Sequence, residues 1–243
     1  MIAAGKTCLL LGEGEYTYNE DYFVLEAPVI IIGQGREKTT LVEFGLRIQG
    51  SKSNGTTVIE DLKIKIGPRE REEGNAGLWA HRGMDLITRR CTVEKCNVRG
   101  VRADGAHISC NDLQVVDCKW SGVLATNGGT IKFSGEGTCI KGNAVADFDQ
   151  YGVYGYSSSK IQFVAPLTKA RISTNNDGGR NWGGGGTVEQ VVEQISNSQG
   201  ETKSSDSTRS SSWMKQGEGW SQKTSSASSE ELVAAAEKVS FLF

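Results

Sequence analysis

Three glycine-led tetrapeptides, Gly77-Leu78-Trp79-Ala80, Gly100-Val101-Arg102-Ala103 and Gly122-Val123-Leu124-Ala125, stand 23 and 22 residues apart. Behind each comes a second apolar pulse, at Leu86, Ile108 and Ile131. A third follows at Cys91–Val93, Leu113–Val115 and Cys139–Ile140. Self-similarity at a fixed period of this length marks stacked repeats, each too small to bury its own apolar face. Three strand-length pulses fill each repeat and leave no room for a helix. The expected fold is all-β: one coiled parallel β-solenoid with about 22–23 residues per coil and six or seven coils.

Composition agrees. The 243 residues include 31 Gly and only 3 Pro, which suits a chain that turns a corner every few residues. Mean hydropathy is −0.36 and net charge is −2. No strongly basic field draws nucleic acid or a membrane surface, and no apolar run is long enough to span a bilayer. The opening residues are too short and mixed for a secretory signal, so a cytoplasmic location is favoured. Six cysteines form no Cys-x-x-Cys pair, and they read as reduced, buried side chains rather than disulfides.

Aligning Phe23, Leu46, Leu78, Val101, Val123 and Val153 in one column gives steps of 23, 32, 23, 22 and 30. The long steps coincide with a charged loop over 67–75 and an acidic loop beginning at Asn143. After about Asn197 a Ser-rich stretch begins. The expected organisation is a β-helix domain over 1–196, a disordered low-complexity tail over 197–229, and a short amphipathic helix over 230–243. Ser228 and Glu231 occupy capping positions for that helix.

The turns Gly12-Glu13-Gly14-Glu15-Tyr16 and Ile32-Gly33-Gln34-Gly35, followed by Thr39-Thr40-Leu41, resemble those of pectin-lyase-like right-handed parallel β-helix proteins. The units around Cys96 and Cys118 resemble the generic repeat of that superfamily, with Cys where Asn often stacks. The resemblance implies a right-handed coil and a ligand groove on the first sheet. It implies no single activity, because that architecture serves lyases, hydrolases and binding modules alike.

Strand alternation turns the neighbours of the aligned column outward. Two outward rows follow on the first sheet: Arg47, Trp79, Arg102, Leu124, Tyr154 and Gln49, His81, Asp104, Thr126, Tyr156. The candidate ligand-binding residues are Trp79, His81, Arg102, Asp104, Tyr154 and Tyr156. Aromatic faces stack on sugar rings, and Arg pairs with carboxylates. His81, Arg102 and Asp104 are also the candidate catalytic set. Inverting hydrolysis needs a second carboxylate about 6.5–9.5 Å from the first, and Asp104 is the only carboxylate in the central coils of this sheet. Paired aspartates and the Gly-His-Gly turn of polygalacturonase-like enzymes are missing; Gly105-Ala106-His107 stands instead. No cofactor or metal is expected.

Three readings stay open. The first is a non-catalytic recognition module for a polysaccharide or a protein partner. The second is a divergent polysaccharide lyase or glycoside hydrolase. The third is a structural subunit of a larger assembly.

Overall fold

A computed structural model describes residues 7–50, 55–67, 76–145 and 150–192. The chain forms a single parallel β-solenoid of about seven turns. Each coil runs through three sheets in succession. The first sheet contains Tyr22–Leu25, Gly45–Ile48, Ala76–Ala80, Arg99–Asp104, Val123–Thr126, Val153–Gly155 and Trp182–Gly183. The second has eight strands, from Thr7–Leu10 to Thr187–Val191, and the third has seven, from Gly14–Thr17 to Ser173–Thr174.

The register is the one the repeat predicts. Phe23, Leu46, Leu78, Val101, Val123 and Val153 are successive Cα partners, and Trp182 extends the column. On the third sheet the inward column is Tyr16, Leu41, Ile64, Val93, Val115, Ile140 and Ser173. The second sheet contributes Leu86, Ile108, Ile131 and Ile161. These columns meet in one core. Each large apolar side chain in it contributes about 1.5–3 kcal/mol by leaving water.

The glycine that opens each repeat has a packing reason. A Cβ on Gly77 or Gly100 would meet the sulfur of Cys96 at 2.7 Å or of Cys118 at 3.1 Å. On Gly122 and Gly152 it would meet the side chains of Asn143 and Asn176, at 2.7 and 2.2 Å. Cys96, Cys118, Asn143 and Asn176 thus form one internal ladder at the corner after the third sheet. Asn143 Nδ2 donates to Val115 O and Lys141 O, and its Oδ1 accepts from Cys118 N. Asn176 Oδ1 accepts from Asn143 N, and Asn176 Nδ2 donates to Ile140 O.

Several expectations need correction. Asn143 does not open an acidic loop but is a fully buried rung of this ladder. The long step between Leu46 and Leu78 has two sources. Seven residues (49–55) separate Ile48 from Thr56 where the later coils use four, two, three, four and three, and ten (66–75) separate Lys65 from Ala76. Lys169–Ile172 forms a single helical turn, and Thr168 Oγ1 accepts from Arg171 N at 3.3 Å. The glycine-rich stretch from Asn175 to Gly186 contains the strand Trp182–Gly183. All six cysteines are free, but Cys8 and Cys139 are half-buried rather than buried. The expected tail and terminal helix lie outside the described residues. No helix among the described residues is long and apolar enough to cross a membrane.

Candidate functional site

The outward rows of the first sheet form as the alternation requires. Arg47, Trp79, Arg102, Leu124 and Tyr154 are Cα partners on five successive strands. Beside them Asp104 pairs with Thr126, and His81 leaves the end of its strand with its N–H donating to Ile48 O at 2.9 Å. The side chains sort into two clusters.

The first cluster is centred on Trp79. The Arg47 guanidinium lies 4.7 Å from its ring centroid, and that of Arg102 lies 4.6 Å away. His81 stacks on the same indole at 4.2 Å. Each cation–π contact contributes about 0.5–2 kcal/mol, more as it is desolvated. The indole is therefore engaged by the protein itself. Its N–H is buried without an acceptor among the described residues, a cost of about 1–3 kcal/mol.

The polar groups of this cluster are engaged too. Arg47 Nε donates to His81 Nε2 at 3.0 Å. Burial, and then the Arg47 charge, hold the His81 pKa below its ordinary value, against an opposing pull from Asp104. Arg102 Nη2 donates to Asp104 Oδ2 at 3.0 Å, and Asn127 Nδ2 donates to Asp104 Oδ1 at 2.5 Å. Asp104 acts on His81 through its charge, but the hydrogen bonds of each go elsewhere. A base needs a lone pair aimed at a substrate proton. Here the His81 lone pair faces Arg47.

The second cluster is tyrosine. Tyr151 stacks on Tyr154 at 5.3 Å, and Tyr154 meets Tyr156 edge-on at 5.1 Å. Tyr156 is 52% exposed. The register partner of Tyr154 in the last coil is Gly183, and a Cβ there would strike the Tyr151 ring at 2.5 Å. Glycine at 183 is what lets Tyr151 fold over the strand. Between the clusters, Leu124 points outward but is only 5% exposed, so it is a covered floor rather than a contact surface.

Arg47, Asn127 and Tyr151 are members of this site that were not singled out as candidates. Arg47 was visible in the outward row. Asn127 and Tyr151 sit in corners, where alternation assigns no direction. The expected loop segments 68–75 and 146–149 lie outside the described residues. Among the described residues no group of three His, Cys, Asp or Glu side chains could hold a metal ion. No family model, curated protein or solved structure matches the chain.

Proposed function

We propose that the chain is a recognition module that binds an acidic polysaccharide along its first sheet without chemical turnover. The observation carrying this reading is the row Arg47, Trp79, Arg102 and, past the covered Leu124, Tyr154, with the exposed ring of Tyr156 against Tyr154. The motif likeness around Gly12–Gly35 supports placing it with pectin-lyase-like β-helices. The roles of the residues are divided. Tyr154 and Tyr156 offer the face on which a pyranose ring stacks. The Arg47–Trp79–Arg102 stack holds two positive charges rigidly beside it for the carboxylates of neighbouring sugars. His81 and Asp104 orient those arginines through hydrogen bonds. Both candidate proton-transfer groups are committed to protein partners, which favours binding over a hydrolase or lyase.

The test is a binding titration against uronic-acid polymers and neutral glucans, with product analysis in parallel. Wild type should bind the acidic polymers and release neither unsaturated nor reducing ends. Tyr156→Ala and Arg102→Ala should each weaken binding about tenfold. Affinity unchanged in both variants, or no binding to any acidic polymer, defeats the reading. New chain ends would move the chain to the lyase or hydrolase class.

A further inference from the structure

The corner between the first and second sheets holds a cation that the site described above does not use. Arg82 follows His81 and is exposed. It lies against Gly105 of the next coil, where Gly83 N donates to Gly105 O at 3.1 Å. A Cβ on Gly105 would stand 3.2 Å from Arg82 Cγ and 3.3 Å from its Cβ, and Gly105 has a φ of +65°. Glycine at 105 satisfies both the turn and the close approach, so the Arg82 stem rests against the corner. The guanidinium follows Cγ by three bonds and therefore stays at the rim of the first-sheet face.

The other guanidiniums of this sheet are committed. Arg47 gives its Nε to His81. Arg102 gives Nη2 to Asp104, and its Nε is buried. Both lie over the Trp79 ring, and Arg99 lies over Trp120 at 4.6 Å. A carboxylate is best held by two parallel N–H groups on one edge of the fork. The Nε–Nη2 edge of Arg102 is closed to it, and so is the Nε edge of Arg47. Arg82 differs: among the described residues none accepts a hydrogen bond from it or forms an ion pair with it, so all five N–H groups stay open. Asp104, which precedes Gly105, has its two oxygens taken by Arg102 and Asn127. Asp85, three residues further on, is exposed and also forms no ion pair among the described residues.

We infer that Arg82 is the residue by which this face selects an acidic polysaccharide over a neutral one: its open fork pairs with a carboxylate of the chain whose ring lies on Tyr156. The inference rests on the polysaccharide reading and names the selecting contact within that site. Arg82 follows the strand Ala76–Ala80 and Tyr156 follows Val153–Gly155. These strands are three spacings apart, roughly 14 Å. That span exceeds one pyranose ring, so the paired carboxylate and the stacked ring belong to different sugars of one chain. Arg47 and Arg102 supply charge at fixed places, whereas Arg82 supplies the fork that can align with the carboxylate plane.

The test is a set of binding titrations with polygalacturonate and polyglucuronate, each against its methyl ester, which keeps the backbone and removes the charge. Wild type should bind an acid form about tenfold tighter than its ester. Arg82→Gln should abolish that preference and leave affinity for the ester at the wild-type value. Arg82→Lys should keep part of the preference, since a point charge lacks the fork. Tyr156→Ala should weaken acid and ester alike and preserve their ratio. Lys119→Gln removes one exposed charge at a different corner and should preserve the ratio too, which separates a contact from the general field of the protein. Circular dichroism checks the fold of each variant. A wild-type ratio in Arg82→Gln overturns the inference and leaves the polysaccharide reading standing. So does an equal loss on acid and ester in that variant, the same loss of ratio in Lys119→Gln, or a wild type that binds ester as tightly as acid. No binding of either acid form by wild type overturns both.

Discussion

His81 shows how one side chain sets a pH dependence. Its Nε2 accepts from Arg47, and burial together with that charge keeps it neutral. The folded pKa lies below the ordinary 6.5, so on acidification the unfolded chain takes up a proton before the folded chain does. The stability this confers is complete above the unfolded pKa and is lost as pH falls through the folded one. Urea midpoints between about pH 7.5 and 5.5 should drop for wild type and drop less for His81→Gln, which keeps an acceptor but cannot titrate. An equal drop in both would remove His81 from this role. The thiols act at the other extreme. Burial pushes Cys91 up to about 11 and Cys110 up to about 12, from an ordinary 9.0. Their contribution is intact below about pH 9 and disappears as pH rises toward those values. A thiol reagent at neutral pH should modify Cys8 and Cys139 first. The four buried thiols should follow only on unfolding.

At the scale of the element, the internal ladder explains both the glycine repeat and its spacing. The repeat was legible because the constraint falls on a residue type: only glycine fits against Cys118 or Asn143, so the motif recurs. The lower rungs were not legible. Asn143 and Asn176 follow the breaks in period, where a polar residue beside Gly and Asp reads as a turn. Only the register of the preceding strands, Val115 on Ile140 and Ile140 on Ser173, carries the ladder across the breaks. Asn143→Ala would leave Cys118 N, Val115 O and Lys141 O without that partner in a buried place. It should cost about 2–4 kcal/mol in a denaturant titration. Gly122→Ala forces a methyl to 2.7 Å from Asn143 Nδ2 and 2.8 Å from Gly152 O. Backbone cannot yield as a side chain does, so a loss of at least about 2 kcal/mol is expected. Gly12→Ala is the control: its Cβ would meet only Tyr16 Oη, at 3.5 Å.

For the whole molecule, sequence periodicity reached far because a parallel coil turns separation along the chain into position along an axis. The outward rows, and hence the neighbours of Trp79, follow from counting alone. Counting does not give rotamers. The engagement of the Trp79 indole by Arg47 and Arg102, and the folding of Tyr151 over Gly183, arise from side-chain packing that alternation leaves undetermined. The same geometry fixes how stability is distributed. Each coil touches only the coil before it and the coil after it, so an end coil has half the neighbours of a central one. Phe133 lies fully buried between Cys110 and Phe163 in one column, and Leu25 is buried in the first described coil. Phe133→Ala should cost about 3–5 kcal/mol and lower the global transition. Leu25→Ala should cost less globally and act mainly by fraying the first coil. Native-state hydrogen exchange distinguishes the two. Amides of Asp85–Arg89, His107–Asn111 and Thr130–Ser134 should exchange slowest in wild type, with Thr7–Leu10 and Thr187–Val191 fastest. Leu25→Ala should accelerate the first coil alone, whereas Phe133→Ala should accelerate the central strands as one unit. Uniform protection from end to end in wild type would mean that the coils open together, against the nearest-neighbour coupling argued from the stack.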